Sequence, residues 1–193
     1  DLAGVLLEEL GPSSVGELLD IGTGAGLMLE VLGPKAEHAV GIDISAPALR
    51  LARTRVHGVG LSHCELRRGD MYSLPVADGV FDLVTMDRVL TLAENPAAVL
   101  AEAARALRGN GRLVAIEDFE QLAARANGNP LTQLRDWLRS AGFAGIRLRP
   151  CDLAGRHFIV AVARYGSQPA AGFAATLPPP EQIVLPHEGA PRL

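Results

Sequence analysis

The sequence predicts an α/β fold, a doubly wound three-layer arrangement in which helices cover both faces of a mostly parallel sheet. Three observations predict it. Short apolar runs alternate with amphipathic segments along most of the chain. The first run ends in a turn with glycine at every second position, Gly22, Gly24 and Gly26. The second closes on a carboxylate, Asp43, 17 residues after Gly26.

Each element has a local signature. Leu2, Val5, Leu6 and Leu10 recur at helical spacing until Gly11-Pro12 stops them, so Asp1 to Leu10 reads as a leading helix. Glu17 to Ile21 reads as a strand. Leu27, Met28, Val31 and Leu32 then share one helical face before Gly33-Pro34. Ala39 to Ile44 repeats the strand, and Ser45-Ala46-Pro47 caps a helix through Leu49, Ala52 and Val56. Cys64 to Arg68 is a weaker third strand and Phe81 to Met86 a fully buried fourth. Asn95-Pro96 opens a helix carrying Val99, Leu100, Ala103, Ala104 and Leu107, which Gly109 is expected to end. Arg112 to Glu117 follows as a fifth strand. Asn129-Pro130 opens a helix through Leu131, Leu134 and Leu138, closed by Gly142. Ile146 to Leu148 and His157 to Ala163 read as a final antiparallel pair.

Composition narrows the function classes. A chain of 193 residues and 20.3 kDa builds one ordinary core. With 48% hydrophobic and 21% charged residues it belongs with globular chains rather than disordered ones. A net charge of −4 argues against a polyanion-binding surface, so nucleic acid is not an expected partner. Two cysteines, Cys64 and Cys151, are too few for a zinc site or a disulfide scaffold, and no paired-histidine metal pattern occurs. No run reaches the roughly 18 apolar residues of a membrane span, and no export signal opens the chain, so a cytoplasmic location is expected. The start at Asp1, inside a helical pattern and without an initiator Met, predicts a fragment or processed product of something longer. Residues 1–165 are expected to form the domain. From 166 to 193 a Pro-, Ala- and Gly-rich composition predicts an extended tail.

The glycine turn carries the functional reading. At the carboxyl edge of a doubly wound sheet ligands bind, and glycines there let the backbone approach a ligand and adopt positive φ. A dinucleotide fingerprint of the form G-x-G-x-x-G is not met, because Leu27 stands three after Gly24. Asp43 at the end of the second strand suits two ribose hydroxyls. Gly69-Asp70-Met71 closes the third strand with a carboxylate for an exocyclic amine and an apolar side chain for a purine face.

At this point the sequence resembles the class I S-adenosylmethionine-dependent methyltransferases. The matching residues are Asp20-Ile-Gly22-Thr-Gly24-Ala-Gly26, Val40-Gly-Ile-Asp43-Ile-Ser45, Arg68-Gly69-Asp70-Met71, Phe81-Asp82-Leu-Val84 and Leu107-Arg-Gly109-Asn-Gly111-Arg-Leu, in family order over about residues 15 to 117. It looks most like the small-molecule branch that includes ubiquinone and menaquinone biosynthesis enzymes, and especially the methyltransferase domains fused behind ArsR-type repressors in some bacteria. The resemblance implies a Rossmann-like methyltransferase fold with a seven-stranded sheet of order 3-2-1-4-5-7-6 and the last strand antiparallel. It implies that Gly22 to Gly26, with Thr23, carry the methionyl and ribose part of S-adenosylmethionine. Asp43 would take the ribose diol, Asp70 the adenine amine and Met71 the adenine face. Asp20 would orient the turn and the methionyl ammonium, and Ile44 and Met86 complete the implied cofactor set. Bland readings stand beside these: Met71 as a core residue, Asp20 as a cap on local amides.

Methyl transfer from a sulfonium chiefly requires alignment of the nucleophile and exclusion of water. Asp87, after the fourth strand, is the candidate base or positioning group, its alternative being a cap or a pair with Arg88. The amino-methyltransferase signature of nucleic-acid enzymes and a Pro-Cys nucleophile at that place are both missing; Met86-Asp87-Arg88-Val89 stands there. The expected acceptor is a small molecule, and the partners left open are a second copy of the chain or an upstream fused domain. The short segment from Asp118 to Gly128 keeps a second hypothesis in view, a SAM-binding sensor or regulatory domain without turnover. The tail from Gly172 to Pro191 is a candidate cover for the acceptor side.

Overall fold

The structure is a computed structural model that describes residues 2–153 and 155–166. Its elements run α1 (Leu2–Leu10), β1 (Gly16–Ile21), α2 (Leu27–Leu32), β2 (Ala36–Asp43), α3 (Ala46–Gly58), β3 (Cys64–Arg68), β4 (Phe81–Asp87), α4 (Pro96–Ala106), β5 (Leu107–Asp118), α5 (Phe119–Arg125), α6 (Pro130–Ser140), β6 (Phe143–Leu153) and β7 (Arg156–Tyr165). The sheet has seven strands in the order β3-β2-β1-β4-β5-β7-β6. β1 to β5 pair in parallel, and β7 runs antiparallel to both β5 and β6. This is the expected order, with the last strand reversed.

Alternation along the strands builds the three layers. Successive side chains of a strand face opposite sides of the sheet. Leu19 and Ile21 of β1, Leu113 and Ala115 of β5, and Ile159, Ala161 and Ala163 of β7 join one buried cluster with Val99, Leu100, Leu122, Leu134 and Leu138 from α4, α5 and α6. Leu18, Val114, Ile116, Val160 and Val162 join the other, with Leu6, Leu10, Met28, Leu29, Leu32 and Val56 from α1, α2 and α3. Glu9 ties α1 to the sheet edge through Arg147 and Arg149, and its carboxyl sits below the usual range because the Arg147 guanidinium bonds it.

Several boundaries differ from expectation. β2 starts three residues early and ends at Asp43, leaving Ile44 outside the strand and exposed. α4 ends at Ala106 rather than Gly109, because Leu107 pairs with Phe81 and the bulged stretch to Arg112 joins β5. Asn110 takes φ 66° there, which a short polar side chain tolerates. α5 has no counterpart in the sequence pattern: Asp118 caps it through Gln121 N, and Leu122 gives it only one buried anchor. β6 and β7 extend well past the expected pair. The tail from 167 onward, including its suggested role as a cover, lies outside the described residues.

Gly26 shows how the turn and helices are packed together. It has φ 82°, and a Cβ would stand 3.1 Å from both Cα and Cβ of Ala52 in α3. Gly26→Ala is therefore expected to cost about 1–2 kcal/mol for the left-handed backbone alone. A thermal midpoint lowered by roughly 2–8 °C checks it.

Candidate functional site

The carboxyl ends of β1, β2, β3 and β4 open on one cleft. Its first part, about 360 Å³, is lined by Ile42, Asp43, Ile44, Asp70, Met71 and Tyr72, among others. Its second, about 400 Å³, is lined by Asp20, Thr23, Gly24, Ala25, Arg55 and Gln121, among others. Gly22, Asp87, Arg88 and Leu92 line both and form the wall between them.

The glycine turn is held from β2. Thr23 N donates to Ile42 O at 2.9 Å, Gly26 N to Thr23 O at 2.8 Å, and Gly24 N to Asp43 Oδ2 at 2.8 Å. The other oxygen of Asp43 accepts from Ser45 N at 2.8 Å, and Ser45 Oγ accepts from Ala48 N to cap α3. One carboxylate thus joins the turn after β1 to the start of α3. Gly22 and Gly24 have φ 67° and 52°, a region that favours glycine. A Cβ on Gly24 would meet only Gly22 O, at 3.9 Å, because the rest of its surroundings is cleft.

Asp20 is the most perturbed group. It is 1% exposed, and its Oδ1 accepts from Thr85 Oγ1 at 2.8 Å. Its Oδ2 and the buried Thr23 Oγ1 make no well-aligned hydrogen bond among the described residues, although the Thr23 hydroxyl stands beside the carboxyl. Burial pushes the carboxyl up to about 7, in spite of the hydroxyls beside it. On the rim of β3, Asp70 is exposed, accepts from Tyr72 N at 2.9 Å and faces the first part of the cleft. Met71 lines the cleft and also packs on the core.

Asp87 is engaged. Arg88 Nε and Nη2 each reach one of its oxygens at 2.9 Å, so the pair stands as a fork in the shared wall. Arg88 carries φ 56°, strained for a long side chain, and its backbone N donates to Ile116 O. Met86 departs from its expected place: it is fully buried in the core and lines neither part of the cleft, because its position on β4 faces the helix layer. Gly26 serves packing against Ala52 rather than the cleft. Arg55, Gln121 and Tyr72 line the cleft without having been singled out, since nothing in their local sequence marks them.

Residues 19–115 match a family model described as a methyltransferase domain. The chain belongs to that family. With the fold above, it is a class I S-adenosylmethionine-dependent methyltransferase domain, and S-adenosylmethionine is its cofactor. It is 38% identical over 122 residues to an uncharacterized 37.1 kDa protein in transposon TN4556 of Streptomyces fradiae, covering 61% of this chain and 35% of that one. It is 30% identical over 154 residues to an arsenite methyltransferase of Halobacterium salinarum, covering 70% of this chain and 39% of the relative. A SAM-dependent methyltransferase from Aquifex aeolicus superposes with a TM-score of 0.66 at 24% identity, over 84% of this chain and 89% of that one. The chain spans well under half the length of these two curated relatives.

Asp20 generates a prediction for the ligand-free methyltransferase domain. Its folded pKa near 7, against 3.8, means that ionising it costs folding on the order of 4 kcal/mol. That cost is absent below about pH 3.8, grows as pH rises, and is complete above about pH 7. Asp20→Asn is expected to raise the thermal midpoint at pH 8 and to change it little at pH 4, as calorimetry across pH will read.

Proposed function

We propose that the chain binds S-adenosylmethionine along the two-part cleft and transfers its methyl group to a small-molecule acceptor by in-line displacement. The observation that carries this reading is the pair of buried, unpartnered oxygens, Asp20 Oδ2 and Thr23 Oγ1, in a cleft whose other end presents Asp43, Asp70 and Met71. Buried polar atoms without partners are rare and call for a ligand or water. The residues present fit the cofactor. Asp20 and Thr23 would take the methionyl ammonium, Gly22 and Gly24 the chain beside it, and Asp43 the ribose diol with the lone pairs its amide donors leave free. Asp70, Met71 and Ile44 would hold the adenine.

When bound, the cofactor supplies a methyl carbon made electrophilic by its sulfonium. The chain's own residues align and exclude. Leu92 in the shared wall and Val89 in the first part of the cleft give an apolar boundary that keeps water from the reacting centre. Asp87, with both oxygens held by Arg88, serves as a positioning group, and an acceptor with its own available lone pair, a tertiary amine or a thiolate, needs no base beyond it. Neither Cys64 nor Cys151 lines the cleft, so a thiophilic acceptor such as arsenite finds no thiolate there among the described residues. A cytoplasmic setting belongs to the same proposal, as does a partner that is either a second copy of the chain or an upstream fused domain, the latter supported by the resemblance to domains fused behind ArsR-type repressors.

Calorimetric titration with S-adenosylmethionine, S-adenosylhomocysteine and NAD tests the reading: the two adenosyl ligands should saturate and NAD should not. Asp43→Ala is expected to weaken S-adenosylhomocysteine binding by roughly 1 to 3 kcal/mol, through lost charge-assisted hydrogen bonds. A folded variant with wild-type affinity would refute the ribose assignment.

A further inference from the structure

The loop between β4 and α4, residues 88–95, supplies Arg88 and Leu92 to the wall shared by both parts of the cleft, and two side chains from β5 and α5 grip it. Glu117, fully buried near the end of β5, accepts from Leu90 N at Oε1 (2.8 Å). Its Oε2 accepts from Thr91 N (3.0 Å) and from Thr91 Oγ1 (2.7 Å). Arg125, in the last turn of α5, donates to the carbonyl of Thr91 and to that of Ala93 at 2.7 Å. One group takes the loop's amides and the other its carbonyls. Two residues that line the cleft belong to this stretch: Val89 immediately precedes it and Leu92 lies within it. Val89 lies so close to the glycine turn that a Cβ on Gly22 would stand 2.7 Å from its Cγ2. Leu92 is 73% exposed and lines both parts.

A buried carboxylate is costly unless its lone pairs are engaged, and truncation leaves its former donors unpaired. Glu117 and Arg125 line neither part of the cleft, so their effect on a ligand must pass through the loop. We propose that Glu117 and Arg125 are positioning residues, a clamp that sets Val89 against Gly22 and Leu92 over the cleft and so fixes the wall on which cofactor and acceptor meet. This rests on the cleft being the adenosyl site.

The test compares the wild-type chain with Glu117→Gln, Arg125→Ala, Thr91→Val and a control, Leu6→Ala, which opens a cavity in the helix layer on the opposite face. Hydrogen exchange of the peptide covering residues 88–93 and the calorimetric affinity for S-adenosylhomocysteine are read together. Glu117→Gln should speed exchange in that peptide selectively and raise the dissociation constant about tenfold, the loss of one charged hydrogen bond's worth of order. Thr91→Val, which removes only the hydroxyl donor, should fall between it and wild type. Leu6→Ala should lower the thermal midpoint yet stay within about twofold in affinity. Unchanged exchange at 88–93, or faster exchange with unchanged affinity, overturns the clamp. So does an equal affinity loss in Leu6→Ala, which marks plain destabilisation. Should Glu117→Gln fail to fold, Thr91→Val and Arg125→Ala are judged by the same criteria. A wild-type chain that binds no S-adenosylhomocysteine removes the adenosyl reading instead, and exchange at 88–93 then decides the clamp by itself.

Discussion

Asp43 holds the ligand-facing edge of the sheet together: one of its oxygens takes the amide of Gly24, the other that of Ser45. A parallel sheet leaves the carboxyl ends of its strands on one side, where each chain must turn sharply into a helix. Those turns expose backbone amides that need partners. By joining two of them, the carboxylate fixes the glycine turn after β1 relative to the start of α3. The cap of α3, the packing of Gly26 on Ala52 and the opening of the cleft at Gly24 are consistent with that placement. The same side chain faces the first part of the cleft, so the residue that ties the turn also lines the cavity.

Much of the fold was legible because its signals are local. Ser45-Ala-Pro47, Asn95-Pro96 and Asn129-Pro130 announce their helices through caps that the structure contains, with side-chain oxygens accepting from Ala48, Ala98 and both Leu131 and Thr132. Strand order followed from the family motifs rather than from periodicity. What stayed hidden depends on distant partners. The stretch from Leu107 to Gly111 carries turn residues, yet pairing of Leu107 with Phe81 draws it into β5. α5 has a single buried side chain, too weak a periodic signal to register.

The site divides the same way. Asp20, Gly22, Thr23, Gly24, Asp43, Ile44, Asp70, Met71 and Asp87 all meet at the cleft, because each lies within one residue of, or just beyond, the carboxyl end of β1, β2, β3 or β4. Met86 lies one residue short of that edge, and the period-two pleat turns it into the core. Glu117 and Arg125 could not be found from spacing: they act on a loop 26 to 34 residues away in sequence, mostly through backbone groups that any residue possesses. Buried unpartnered atoms at Asp20 and Thr23 likewise become visible only when the surrounding side chains are in place.

An amide NMR titration of the chain with S-adenosylhomocysteine tests most directly whether the Asp43-tethered turn and the two-part cleft form one ligand site. The account predicts saturable shifts at Gly22 to Gly26, Asp43 to Ser45, Gly69 to Tyr72 and the loop from Arg88 to Leu92, all with one dissociation constant. Saturable shifts confined to other surfaces, or none in a folded chain, would contradict it.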